Sequence, residues 1–168
     1  FFAGRLFRQV FAFNEVAERL EEGAGFARAV DATHGFPIHD GLLAERAQAR
    51  RARELGADTA VVFDVHWLVN SGYHINCGEH FKGTYTSNEL PHFIKNLPFA
   101  YQGNPALGQA MAEAATAMGV HTRAHDATSL APEYGTLVPM RYMNEDKRFK
   151  VVSISAFCTV HDFADSRK

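Results

Sequence analysis

Apolar residues recur at spacings of three and four at Leu6, Val10, Phe13, Val16 and Leu20, which predicts a helix over residues 5–22 with one apolar stripe. The same stretch carries three Arg and four Glu, a balance that favours a packing helix over one lying on a membrane surface. A turn-rich segment, Thr33-His34-Gly35-Phe36-Pro37, follows. A second helix is then predicted from a cap at Asp40 to about Leu55, with Gly56 past its end. Leu42, Leu43, Ala47 and Leu55 would face inward, and Arg46, Arg50, Arg51 and Arg53 would mark the wet side. The pattern changes over residues 59–65, where Val61-Val62-Phe63 is the continuous apolar run of a strand buried on both faces. Helix followed by buried strand is the α/β alternation.

Further along, residues 70–97 hold short extended pieces, 73–77 and 84–86, among Gly, Asn and Pro, and read as a loop-rich insertion. Asn104-Pro105 opens a third helix, Asn as cap and Pro in the first turn. Leu107, Met111, Ala114 and Met118 would be its buried stripe, and Gly119 its stop. Residues 120–124 and 150–158 read as strands, the second buried, with His161 and Asp162 just past its end. There is no internal repeat, low-complexity tract or interdomain linker. The expected fold is α/β, a mainly parallel or mixed central sheet flanked by helices.

Composition adds limits. A chain of 168 residues can bury a core, and 46% hydrophobic residues is ordinary for a globular protein. A net charge of −2 gives no footprint for nucleic acid. No apolar run approaches the roughly 20 residues of a membrane helix. Cys77 and Cys158 sit far apart in strand-like segments, the habit of reduced thiols in a cytoplasmic protein. The 14 Phe predict a Phe-rich core. The chain opens on Phe1-Phe2 rather than Met, so a piece of a longer protein is expected.

His66 stands at the C-terminal edge of the predicted 59–65 strand, where open α/β sheets bind ligands. A neutral imidazole there can hold a metal, or simply be hydrogen-bonded and half-buried. Neither a Gly-x-Ser-x-Gly elbow nor a phosphate-binding loop is present, which argues against covalent serine catalysis and nucleotide chemistry.

The stretch FDVHWLVNSGYHINC at 63–77, YTSNELPHF at 85–93 and EYGTLVPMRYMNEDKRFKVVSISAFCTVHDFADSR at 133–167 resemble the class III extradiol ring-cleaving dioxygenases. Within them the resemblance is to the branch acting on 3,4-dihydroxyphenylacetate (homoprotocatechuate). It runs from about residue 57 to 168, and residues 1–32 diverge from it. Residues 1–32 are accordingly expected as a divergent helical segment, and 33–168 as the N-terminal part of an extradiol catalytic domain.

The resemblance implies iron(II), with manganese or magnesium as alternatives, a catechol and O2 as substrates, and a homo-oligomer. It implies no nucleic-acid or membrane partner. His66 matches the strand-end metal histidine, and His34 in Thr33-His34-Gly35-Phe36-Pro37 is the candidate for the second. His39 is a weaker candidate. The family's carboxylate ligand comes from its second half, beyond residue 168. Tyr134 falls in a loop beside the substrate, where its hydroxyl could bond substrate or oxygen, and His161 could act as acid or base. Arg141 could pair with a substrate carboxylate. Glu89 lies in a matched loop as a substrate-side candidate. His74 and His92 have no spacing argument and are expected at the surface or in supporting roles. Asp64 is expected to cap or orient rather than to bind metal. A catalytically incomplete or structural subunit, and a different metal-dependent α/β enzyme such as a hydrolase using His66 and His34, are the alternatives.

Overall fold

The computed structural model describes residues 10–12, 38–126 and 130–156, with side chains described for 46–126 and 130–156. His34, Cys158 and His161 lie outside the described residues. In chain order the elements are β1 (Val10–Ala12), α1 (Ile38–Glu54), β2 (Thr59–Asp64), β3 (Tyr73–Asn76), β4 (His80–Tyr85), β5 (Leu97–Gln102), α2 (Pro105–Ala117), β6 (Thr122–His125), α3 (Tyr134–Met143) and β7 (Lys150–Ser155).

Five strands form one mixed sheet in the order β1-β2-β7-β3-β6. β1, β2 and β7 are mutually parallel, β3 and β6 are parallel, and β3 meets β7 antiparallel. This is the expected α/β class, in its mixed form. β2 and β7 are the buried centre, and Val151 and Val152 are fully shielded from solvent. Successive side chains on a strand point to opposite faces, so each central strand feeds two cores. On one face Val62 and Val151 pack with Ala49 and Ala52 of α1 and Met140 and Met143 of α3. On the other Val61, Val152, Ile75 and Ile154 pack with Leu107 and Ala112 of α2.

Residues 70–97 are more ordered than a loop-rich insertion. β3 joins the main sheet, and β4 and β5 make a separate antiparallel hairpin. Phe81, Leu97 and Phe99 of that hairpin pack against Leu137 of α3. Leu137→Ala is expected to cost about 2–5 kcal/mol, because Leu137 is 1% exposed and the hairpin cannot collapse onto the space left. Chemical denaturation of the two proteins measures it.

Several expectations need correction. Val10–Ala12 is a strand beside β2, not part of a helix. Pairing along β2 outweighs the local stripe, and the flanking residues of the expected 5–22 helix lie outside the described set. In α1 the inward positions are Gln48, Ala49 and Ala52, while Ala47 is exposed and Leu55 is 50% exposed. The helix begins at Ile38, so Asp40 lies within it rather than capping it. Small residues face the sheet because α1 packs close. Gly56, at φ +78°, does end the helix as predicted. In α2 Asn104 caps through Leu107 N at 3.2 Å, but the buried face is Leu107, Gly108 and Ala112. Gly108 lies against Cys77, which turns the helix so that Ala114 and Met118 face solvent. Of the five Phe side chains described, Phe81, Phe99 and Phe149 are buried, whereas Phe63 is 44% and Phe93 86% exposed.

Candidate active site

β2 ends at Asp64, and this residue organises the edge. Its carboxylate is fully buried. Oδ1 accepts from the backbone N–H of His66 at 2.9 Å and of Trp67 at 3.1 Å. Oδ2 accepts from the Thr136 hydroxyl at 2.7 Å. The strand is thereby turned tightly into the His66-Trp67 corner, with α3 tied to it. Gly135 allows the approach: a Cβ there would stand 2.2 Å from Asp64 Oδ1, so no other residue fits without displacing the carboxylate. The carboxylate also lies at the N-terminus of α3, where the helix dipole favours negative charge.

With the corner fixed, His66 meets Tyr134. Their rings stack at 4.0 Å between centroids, and the Tyr134 hydroxyl is 2.5 Å from His66 Nδ1. The same hydroxyl donates to Glu89 Oε2 at 2.7 Å, and Glu89 Oε2 is 3.7 Å from His66 Nδ1. Glu89 is itself set by Ser87, whose buried Oγ accepts from Glu89 N at 3.2 Å and Leu90 N at 3.0 Å.

These bonds have a direction. Tyr134 gives its proton to Glu89, so its oxygen accepts from His66 and the imidazole proton sits on Nδ1. The lone pair is then on Nε2, and a neutral imidazole with one nitrogen anchored is the form of histidine that binds metals. Burial, and after it the hydrogen bond to Glu89, push the Tyr134 hydroxyl up to about 12. Tyr134 therefore holds its proton through the neutral range and works as a hydrogen-bonding group, not as a phenolate base. Beside it the Tyr85 hydroxyl donates to Glu133 Oε2 at 2.7 Å, and burial, then that bond, shifts Tyr85 upward as well.

The structure thus brings together His66, Tyr134 and Glu89 from three separate stretches of chain. It does not bring Arg141 to them. Arg141 lies seven residues along α3, about 10 Å at the helical rise, with its guanidinium 5.9 Å from the Tyr142 ring. There it lines a groove with Lys82, Thr84, Pro98 and Tyr101. His92 is exposed. His74 is not isolated: its Nδ1 is 2.8 Å from His125 Nε2, and Trp67 stands edge-on to it. Burial and the neighbouring imidazole lower His74, and burial and Arg123 lower His125, which favours the uncharged ring in each. Sequence reasoning missed this pair because it depends on β3 pairing with β6.

As a metal site, the described residues supply one part. Among them no group of three or more His, Cys, Asp or Glu side chains is arranged to hold an ion. His66, with its lone pair on Nε2 and Nδ1 anchored, fits one position of the two-histidine, one-carboxylate set that non-haem iron oxygenases use.

The family model described as the catalytic LigB subunit of aromatic ring-opening dioxygenase matches residues 38–168. The chain belongs to this LigB family. Among curated relatives, 3,4-dihydroxyphenylacetate 2,3-dioxygenase of Escherichia coli is 68% identical over 120 residues, 71% of this chain and 44% of that protein. The 2-aminophenol 1,6-dioxygenase beta subunit of a Pseudomonas species is 27% identical over 112 residues, 67% of this chain and 36% of that protein. The chain spans less than half the length of either relative. Membership explains why the corner carries so much of the sequence signal: Asp64, His66, Glu89, Tyr134, Gly135 and Thr136 all fall inside the LigB match.

Proposed function

We propose that this chain forms part of an extradiol dioxygenase that opens the ring of a catechol such as 3,4-dihydroxyphenylacetate with O2, using iron(II). The observation that carries the reading is the anchored His66, just past the C-terminal edge of β2, its Nδ1 tied to Tyr134 and the lone pair left on Nε2. The LigB membership and the name of the Escherichia coli relative support the same chemistry. His34 is the proposed second histidine. Iron(II) held by His66 and His34 would supply the redox chemistry that lets O2 react with a catechol ring.

The protein's own residues prepare that event. His66 offers one nitrogen in a fixed orientation. Tyr134 keeps its proton and can turn its hydroxyl toward a bound oxygen atom. Glu89 uses Oε2 for Tyr134 and leaves Oε1 for a substrate hydroxyl. His161, beyond the C-terminal end of β7, is the proposed acid or base. Arg141 keeps a place in the proposal only for an acidic group reaching the β4–β5 groove. Self-association belongs to the same reading, and Phe63, Val65 and Leu68, 44%, 47% and 57% exposed around His66, favour protein contact there.

The test is the product formed from 3,4-dihydroxyphenylacetate in air with iron(II). Cleavage next to the two hydroxyls gives a coloured semialdehyde, and its appearance is the expected result. Cleavage between them contradicts the reading, as does no cleavage when this chain is joined to the carboxylate-bearing half of the family's domain. Tyr134→Phe and Glu89→Gln each remove part of the anchor while leaving His66 in place. Each is expected to weaken iron(II) binding by about 10–100-fold. Calorimetry under anaerobic conditions measures it.

A further inference from the structure

The same edge of the sheet carries a second cluster two strands from His66. β7 is parallel to β2 and antiparallel to β3, so β3 begins where β2 ends. β6, parallel to β3, begins there too. Asp64 pairs with Ser155, and Ser155 Oγ accepts from the backbone N–H of His74 at 2.7 Å. At about 4.8 Å per strand, His74 lies about 10 Å from the base of the His66 corner. Trp67 occupies the interval, its ring 6.2 Å from His74 and 6.0 Å from His125.

Beyond Trp67 is a pocket of about 240 Å³ lined by Asn70, Ser71, His74, His121, Thr122 and Arg123. It carries one guanidinium, and the rest of its polar lining is imidazole, hydroxyl and amide. No Asp or Glu lines it. Arg123 is exposed and has no carboxylate partner among the described residues. The His74 ring is held by His125, so this wall is set before any ligand arrives. A guanidinium beside hydroxyl and amide groups suits a carboxylate, which it can meet with two parallel hydrogen bonds.

We propose that this pocket binds the carboxylate of an acidic side chain on the ring substrate, with Arg123 as the charged contact, Ser71 and His74 as hydrogen-bonding neighbours, and Trp67 as the wall along the ring. The proposal rests on the ring-opening reading, in which the hydroxyls of the same molecule lie at His66. A catechol bearing an acetate arm has a length of the same order as the separation between the two clusters. It gives the substrate's acidic group a place on the His66 side of α3, which Arg141 does not offer.

The test is calorimetric binding, without oxygen, of 3,4-dihydroxyphenylacetate, of 4-methylcatechol (the same ring without the carboxylate) and of phenylacetate (the carboxylate without the hydroxyls). The proteins are the native chain, Arg123→Met, Arg123→Lys, and Arg50→Met as a control for loss of an exposed charge. Arg123→Met is expected to weaken the two acids about tenfold or more and 4-methylcatechol less than twofold, with Arg123→Lys between and Arg50→Met unchanged. Equal weakening of all three ligands, or no change in any, overturns the proposal. Arg123-dependent binding of phenylacetate in a protein whose iron(II) binding is untouched by His66→Ala upholds the pocket and overturns the ring-opening reading instead.

Discussion

Replacing His66 with alanine is expected to lower ring opening on the order of 10³-fold or more, equivalent to about 4 kcal/mol of transition-state stabilisation. The fold should survive. The side chain is 39% exposed and belongs to none of the buried clusters, and its main structural contact is the ring of Tyr134. Circular dichroism and the denaturation midpoint should therefore stay near those of the native protein while turnover is lost. Retained turnover would mean that His66 is the hydrogen-bonded histidine of a structural corner and that the metal lies elsewhere.

Asp64→Ala should do the opposite, damaging the fold first. It would strand the hydroxyl of Thr136 and the N–H groups of His66 and Trp67 around a buried void. Leaving a buried donor unpaired costs about 1–3 kcal/mol, and the losses share one site, so about 3–5 kcal/mol in all is expected. Asp64→Asn should recover much of this. Its oxygen can still accept from both backbone groups, and the Thr136 hydroxyl can reverse to accept from the amide. Denaturant titrations of the three proteins give the ordering native, Asn, Ala. An alanine variant as stable as the native chain would show that the corner is held by packing rather than by the carboxylate.

What the sequence reveals of this fold depends on how local the cause is. β2 and β7 are legible because a strand buried on both faces must be apolar throughout, and Val61-Val62 and Val151-Val152 are. Asn104 and Gly56 are legible because caps act within one turn. The buried faces of α1 and α2 are not, since close packing selects Ala49, Ala52, Gly108 and Ala112 over the larger residues nearby. Of β4 only the end is legible, in the extended piece 84–86, and β5 is missed, because Lys82, Gly83, Pro98 and Ala100 interrupt any alternation and the hairpin is held by docking on Leu137.

The candidate site divides in the same way. His66 is visible from its place at a strand end. Its link to Tyr134 spans 68 residues of sequence and that of Tyr134 to Glu89 spans 45, and no spacing rule reaches that far. The pairing of Gly135 and Thr136 with Asp64 has a local trace, since a glycine and a hydroxyl residue open a helix, but its partner is named only by the structure.

The most direct measurement is an anaerobic iron(II) titration followed by NMR of the histidine rings. Iron(II) is paramagnetic, so a ring that binds it loses or shifts its signals first. The account predicts that His66 responds ahead of His74, His80, His92, His121 and His125. Iron(II) binding that leaves the His66 signals in place would contradict it.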